Sequence, residues 1–195
     1  MKIIRPAIVL TLFFVLVTGF AFPYLITGIA QTAFRHQANG SMVTVGGKVV
    51  GSELIGQSFE SSKFFHPRPS AAGSGYDANN SSGTNLGPTN PKLLEGEKDF
   101  DGIKQLAAKY RELNGVGADV VLPVDAVTRS SSGLDPHITV DNARLQAARV
   151  AKENGVSRAE IDRLIRELTE TPLFGLGEKP YVNVLRLNER VAGLR

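Results

Sequence analysis

An uncharged stretch of 29 residues near the amino terminus limits what this chain can fold into. It covers residues 6–34, between Arg5 and Arg35, and reads PAIVLTLFFVLVTGFAFPYLITGIAQTAF. About 20 consecutive apolar residues are enough for a helix to cross a bilayer, so this stretch is long enough to do so. We therefore predict that residues 1–34 form a membrane anchor helix, which Pro23 is expected to kink or end.

A cleaved signal peptide is the alternative interpretation of the same stretch. Lys2 and Arg5 form a basic start, and residues 19–21 loosely fit a cleavage site. The apolar part of a signal peptide usually covers about 7–15 residues, however, and here residues 22–29 continue it. The length favours a retained anchor.

Charges beside the stretch predict its orientation. The positive-inside rule places the more basic short flank in the cytoplasm. Lys2 and Arg5 lie in the short amino-terminal flank, while Arg35 and His36 follow the stretch. We expect a cytoplasmic amino terminus and an exported domain formed by residues 35–195.

The composition of the exported part excludes some classes of protein. It contains no cysteine, so it must be held together by its core alone. Without Lys2 and Arg5 the chain has 20 basic and 19 acidic residues, which are interspersed. Because nucleic-acid binding needs clustered Lys and Arg, no nucleic-acid partner is expected.

Local patterns predict an α+β fold for residues 35–195. A β-hairpin is expected where two β-prone runs, 42–45 and 48–50, flank a Gly-Gly pair. Apolar residues at helical spacing and stop signals predict a helix at 103–114. Residues 119–129 are expected to form an edge strand or a paired loop, and residues 181–187 a closing strand.

Capping signals predict two further helices. Thr139 can cap a helix that has Asp141 in its first turn and ends near Asn154. Ser157 and Glu160 form a capping box for the next helix, which Pro172 is expected to stop.

A long polar loop covers residues 66–91. Of its 26 residues, 18 are Gly, Pro, Ser, Thr or Asn, a composition that is typical of disorder. Structureless loops of this length are usually either disordered or functional. We predict that this one is ordered, held by its Asn and Ser side chains and by Phe64 and Phe65 packed below it.

Polar residues of this loop and of a second loop, SSSGLDPH, are candidates for contact with a partner protein. The alternative for each of them is a hydrogen bond to the loop backbone. On the apolar stretch, small residues could let a neighbouring helix approach closely. The candidate contacts are Phe65, His66, Arg68, Asn85, Asn90, Asp135, His137, Gly19 and Gly28.

Catalytic motifs are missing from the sequence. It has no phosphate-binding loop, no G-x-G-x-x-G and no G-x-S-x-G elbow, and three His without any Cys make a metal site improbable. Asp135 and His137 could pair a base with its orienter, but no nucleophile is identifiable. We predict no catalytic, metal or cofactor site. The alternative to a non-catalytic function is a membrane-anchored exported hydrolase or solute-binding module.

Several motifs in order along the chain carry a resemblance to a known family. They are GSELIGQSF, FFHPRPSA, SSGTNLGPTNP, SSGLDPHIT, LQAARVA and GEKPYVNVLRLN. With the single amino-terminal apolar stretch, this set resembles the C subunit of Kdp-type high-affinity potassium-transporting ATPases of bacteria. The resemblance covers essentially the whole chain.

The resemblance implies a non-catalytic accessory subunit in the bacterial inner membrane. Its implied partners are a channel-like subunit that carries potassium, a P-type ATPase subunit that hydrolyses ATP, and a very small membrane subunit. The implied roles are assembly of the complex and, as a catalytic chaperone, a higher ATP affinity of the ATPase subunit. A family Ser-Gly stretch makes Ser81, Ser82, Gly83 and Thr84 the candidates for nucleotide contact, although this stretch lacks the Gln of the ABC signature that it is likened to.

Overall fold

The computed structural model describes residues 3–172 and 179–193; the predicted flank residue Lys2 lies outside them. By its internal contacts the chain divides into two compact units, Met1–Val50 and Gly51–Arg195. The second unit has a mixed α/β fold, as predicted from the sequence.

The first unit contains a continuous helical segment of 30 residues, Ile4–Ala33. It consists of helix α1 (Ile4–Leu16), one π-helical turn (Val17–Ala21) and helix α2 (Phe22–Ala33). Within the described residues, this is the one helix that is long and apolar enough to cross a membrane, with a mean hydropathy of 2.3. The α-helix is interrupted before Pro23 and does not end there, because the wider π turn gives room to a residue without an amide hydrogen.

A short helix and a hairpin follow the long helix. Helix α3 (Arg35–Ala38) precedes strands β1 (Met42–Val45) and β2 (Lys48–Ser52), which pair with each other. Gly46 and Gly47 have φ angles of +58° and +80°, as the tight turn of such a hairpin requires. The predicted hairpin is confirmed.

The second unit consists of six helices and two strands within the described residues. Strand β3 pairs antiparallel with β4, and Ile138 lies opposite Val182. The elements are α4 (Pro91–Glu95), α5 (Ile103–Asn114), α6 (Val124–Val127), β3 (His137–Thr139), α7 (Val140–Asn154), α8 (Arg158–Glu167), β4 (Tyr181–Asn183) and α9 (Val184–Ala192).

The residues predicted to cap and to end the helices do so in the structure. Gly115 ends α5 in the left-handed conformation. The Thr139 side chain accepts a hydrogen bond from the Asn142 amide at the start of α7, and Ser157 and Glu160 form the capping box of α8. Helix α8 ends at Glu167, before it reaches Pro172. Beyond the helix Glu170 pairs with Tyr181 in an antiparallel bridge, which a helical conformation of Glu170 would not allow.

Two predictions are corrected by the structure, the edge strand or paired loop at 119–129 and the strand at 181–187. Residues 119–129 contain helix α6, which starts after Pro123 and buries the Asp125 side chain. Of residues 181–187 only the first three form a strand. Helix α9 then begins because the Asn183 side chain accepts a hydrogen bond from the Arg186 amide and caps it.

The core of the second unit lies between helices α7, α8 and α9 and the β3–β4 pair. Phe65, which precedes the long polar loop, also belongs to it. The buried apolar side chains that form this core cluster are Phe65, Ile138, Ala143, Ala147, Val150, Ala151, Ile161, Leu164, Ile165, Val182, Val184, Leu187 and Val191.

Candidate functional site

The segment that enters the long polar loop is fixed by buried side chains. Phe65 is completely buried in the core, which corrects the prediction that its ring contacts a partner. The main chain of His66 donates to Oε1 of Gln146 at 2.8 Å and accepts from its Nε2 at 3.0 Å. Burial, together with the positive charge of Arg149, lowers the pKa of the half-buried His66 ring.

Three of the predicted residues, one from the first loop and two from the second, meet in one cluster. Nη1 of Arg68 donates to Oδ2 of Asp135 at 3.0 Å. The other carboxylate oxygen accepts the amide of His137 at 2.9 Å and lies 3.7 Å from Nδ1 of the His137 ring. The His137 ring packs against Tyr181 with 4.7 Å between ring centroids.

Electrostatics favour the charged form of Asp135. Burial acts to raise the pKa of Asp135, but the hydrogen bonds from His137 and Arg68 together outweigh it and lower that pKa. The carboxylate is therefore occupied by these partners. These bonds hold the two loops in a fixed arrangement. A general base would instead need a free lone pair directed at a substrate.

The two polar loops interlock through main-chain contacts. The amide of Ser82 and the hydroxyl of Ser81 both donate to the carbonyl of Ser132 at 2.9 Å. Gly133 has a φ of +69°, and a Cβ atom there would lie 2.6 Å from the Ser82 carbonyl oxygen. Only glycine allows this approach.

Ser70 and Tyr76 organise the first half of the long loop. The Ser70 hydroxyl donates to the Gly133 carbonyl at 2.7 Å and accepts the amides of Ala72 and Tyr76. The Tyr76 hydroxyl donates to the Arg68 carbonyl at 2.7 Å. Burial raises the pKa of Tyr76 to about 12, so this donor keeps its proton.

The asparagines of the loop do not lie in this cluster. Asn85 is exposed in the left-handed conformation. Asn90 caps helix α4 by accepting the Lys92 amide at 3.0 Å. The candidates for nucleotide contact, Ser81 to Thr84, are exposed or half-buried. The Ser81 hydroxyl and the Ser82 amide already donate to Ser132, and the Ser82 hydroxyl donates to the Gly83 carbonyl.

An open cleft of about 490 Å³ lies beside the cluster. Nε of Arg68 is buried there without a hydrogen-bond partner in the described part of the chain. Leu54, which is 58% exposed, lies at the same cleft. The lining residues are Leu54, Arg68, Ser130, Ser131, Ser132, Leu134, Asp135 and Pro136. We call this the serine cleft.

Sequence reasoning missed several residues that shape this surface. Gln146 lies on the buried face of α7 beside Ala143 and Ala147, and a polar residue within an apolar stripe was the available signal. Ser70, Ser132 and Gly133 left no such signal, because their partners are distant in sequence. No group of three or more His, Asp or Glu that could hold a metal ion occurs among residues 3–172 and 179–193.

On the long helix, Gly19 and Gly28 are exposed. A Cβ atom at either position would have no described neighbour within 4 Å. Gly19 lies in the π turn, and the carbonyl of Gly28 accepts the Thr32 hydroxyl at 2.8 Å. Both positions leave room for another helix to approach.

Comparison with known families identifies the chain's relatives. A family model described as KdpC, K+-transporting ATPase, c chain, matches residues 4–192. This chain belongs to the KdpC family. The family match covers both the long helix and nearly all of the second unit, so the resemblance seen in the motifs is confirmed.

Curated relatives cover the same length. The potassium-transporting ATPase KdpC subunit of Mycobacterium bovis is 50% identical over 184 residues, which is 94% of each chain. The subunit of the same name from Koribacter versatilis is 46% identical over 96% of this chain and 92% of its own. That from a Caulobacter species is 48% identical over 95% of this chain and 90% of its own.

Proposed function

We propose that this chain is a non-catalytic accessory subunit of an ATP-driven potassium uptake complex in the bacterial inner membrane. The observation that carries the proposal is the KdpC family match over residues 4–192, which includes the apolar helix Ile4–Ala33. The chain assembles and stabilises the complex. Potassium is carried by a channel-like subunit and ATP is hydrolysed by a P-type ATPase subunit, and a very small membrane subunit completes the assembly.

In this proposal the helix is a retained anchor with a cytoplasmic amino terminus, and the second unit is exported. An exported unit is separated by the membrane from cytoplasmic ATP. The chain then raises the ATP affinity of the ATPase subunit through a coupling free energy carried by the conformations of its partners, without touching nucleotide. It needs no bound cofactor of its own for this role.

The second unit docks on the outer face of the potassium-carrying subunit, and the serine cleft is the surface through which it does so. Arg68 is held there by Asp135 at 3.0 Å, and the exposed part of its side chain can bind a carbonyl or carboxylate of the partner. The exposed side chain of Leu54 provides an apolar contact beside it. The anchor helix packs on a neighbouring helix through Gly19 and Gly28.

Co-purification tests the proposed function. The full chain is tagged at its carboxyl terminus, extracted in mild detergent, and assayed for bound proteins and for potassium-stimulated ATP hydrolysis. A channel-like subunit and a P-type ATPase recovered with that activity would support the proposal. Recovery of the chain alone, while the pump subunits are present in the same membranes, would refute it.

A matched pair of variants tests the cleft. Leu54→Glu places a charge in the serine cleft, whereas Leu113→Glu places the same charge on the exposed face of α5, where Leu113 is 41% exposed. Leu54→Glu should reduce recovery of the potassium-carrying subunit, and Leu113→Glu should not.

A further inference from the structure

A second surface of the exported unit carries the features of a peptide-binding groove. Two adjoining hollows have volumes of about 340 and 460 Å³. Asp141, Arg144 and Lys179 line both of them, so they form one continuous depression along the start of helix α7. We call this depression the basic groove. It shares no lining residue with the serine cleft.

The basic groove concentrates positive charge. Arg144, Arg166 and Lys179 line it against one carboxylate, Asp141, which lies 3.5 Å from the Lys179 ammonium. Within the described ranges, the exposed guanidinium groups of Arg144 and Arg166 have no ion pair and donate no hydrogen bond. Among the described residues that line the groove, three cationic side chains therefore face one carboxylate, in a chain whose charges are otherwise nearly balanced.

One wall of the groove is apolar and exposed. The side chains of Val121 and Val124 are 89% and 73% exposed, and Leu122 and Leu145 lie beside them. Helix α6 holds this wall in place, because Asp125 is buried and accepts two hydrogen bonds from Thr139. Exposed apolar groups next to charged ones are typical of a surface that binds another molecule.

We propose that the basic groove binds an acidic segment of another subunit of the complex, with an apolar side chain of that segment against Val121 and Val124. Arginine binds carboxylates in a bidentate geometry, which suits Arg144 and Arg166 to Asp or Glu side chains. The concave shape favours a polypeptide segment, since a flat membrane surface would leave the hollows unfilled. This inference rests on the proposed function only in assigning the segment to a subunit of the same complex.

Charge reversal tests the electrostatic part. Arg144→Glu and Arg166→Glu, singly and together, are introduced into the tagged full chain and the recovered partner subunits are quantified. The double variant should lower recovery about tenfold or more, because like charges would then face each other across the contact. Arg190→Glu makes the same charge change on α9, outside the groove, and should leave recovery unchanged.

Unchanged recovery of the partners by the double variant would overturn the inference while the proposed function stands. Failure of the unmodified chain to recover the partners would instead refute the proposed function. Because Arg144 and Arg166 are exposed, the melting temperature of the double variant should stay within a few degrees of that of the unmodified chain. Restored recovery on replacing both residues with Lys would show that positive charge is what the partner requires.

Photo-cross-linking tests the identity of the occupant. Val124 is replaced with p-benzoylphenylalanine in the assembled complex, which is irradiated and analysed by mass spectrometry. We expect a cross-link to a peptide of another subunit with Asp or Glu near the linked position. Cross-links to lipid alone would identify the groove as a membrane-binding surface, and a cross-link to a peptide without acidic residues would exclude the proposed recognition.

Discussion

The side-chain amide of Asn188 makes two hydrogen bonds with the main chain of Phe65, 123 positions away in sequence. Oδ1 accepts the Phe65 amide at 2.7 Å, and Nδ2 donates to the Phe65 carbonyl at 2.9 Å. Asn188 imitates the edge of a β-strand and satisfies a buried segment that belongs to no sheet. Gln146 does the same for His66, so amides from α9 and α7 hold the entry to the long polar loop.

Asn188→Ala should destabilise the fold strongly. Asn188 is 3% exposed, and its removal leaves the buried amide and carbonyl of Phe65 without partners. At about 1–3 kcal/mol for each of the two unsatisfied groups, a loss of about 2–6 kcal/mol is expected in the free energy of unfolding. Denaturant titration of the full chain in detergent, followed by circular dichroism, measures it. Asn80→Ala, at an exposed position, should cost less than about 0.5 kcal/mol.

Stability should fall at mildly acidic pH because of His66. Burial lowers the pKa of His66 from its ordinary value of 6.5, so between the two values the unfolded chain binds more protons than the folded one. This contribution is complete above pH 6.5 and is lost as the pH falls through the lowered value. Melting temperatures of the native chain and of His66→Gln, measured from pH 8 to pH 5, should diverge only below pH 6.5. Parallel curves would contradict the prediction.

Gly133→Ala should separate the two polar loops. A left-handed conformation costs a non-glycine residue about 1–2 kcal/mol, and the added Cβ would collide with the main chain of Ser82 and Ala72. Hydrogen exchange of residues 70–84 should become much faster. Gly87→Ala is the control, because a Cβ there meets nothing within 4 Å and the φ angle is ordinary. Rapid exchange of this segment in the native chain would show that the loop is not ordered by these contacts.

Cysteine labelling tests the orientation and the fold together, because the chain has no native cysteine. Ser74 is exposed, so Ser74→Cys should react in intact cells with a thiol reagent that cannot cross the inner membrane. Ser130 is 4% exposed, so Ser130→Cys should react only after denaturation. Labelling of Ser74→Cys by cytoplasmic reagents alone would place the second unit on the other side of the membrane.

Gly28→Leu should weaken association without preventing insertion. The position is open in the isolated chain, so the larger side chain fits there, but it would push away a helix packed on the glycine. Recovery of partner subunits should fall, while the amount of chain in the membrane stays constant. Leu25→Ile, an apolar exchange on the same helix, provides the comparison. Equal recovery with both variants would argue against packing at Gly28.

The local elements were predictable because their signals lie within a few residues. Gly46 and Gly47 specify the hairpin, and Ser157 with Glu160 specifies the start of α8. The strand predicted at 181–187 was only partly right for a related reason. Alternating apolar residues there also fit a helix, and the cap at Asn183 decides between the two.

The candidate site was only partly predictable. Arg68, Asp135 and His137 were expected at a common surface, and the structure brings them together. Phe65 was expected there too, but its side chain lies in the core. Sequence alone left both packing below the loop and contact with a partner open for Phe65, because its burial depends on helices that lie far along the chain.

By itself, the sequence determined the apolar helix, the helix caps, the hairpin turn and the family, since each depends on residue type and short spacing. Only the tertiary structure decided which polar residues hold the loops and which are exposed. Asn188 and Phe65, or Ser82 and Ser132, are far apart along the chain and meet only when the core has formed. Buried polar groups need partners wherever these lie, and in this chain the partners come from distant helices and loops.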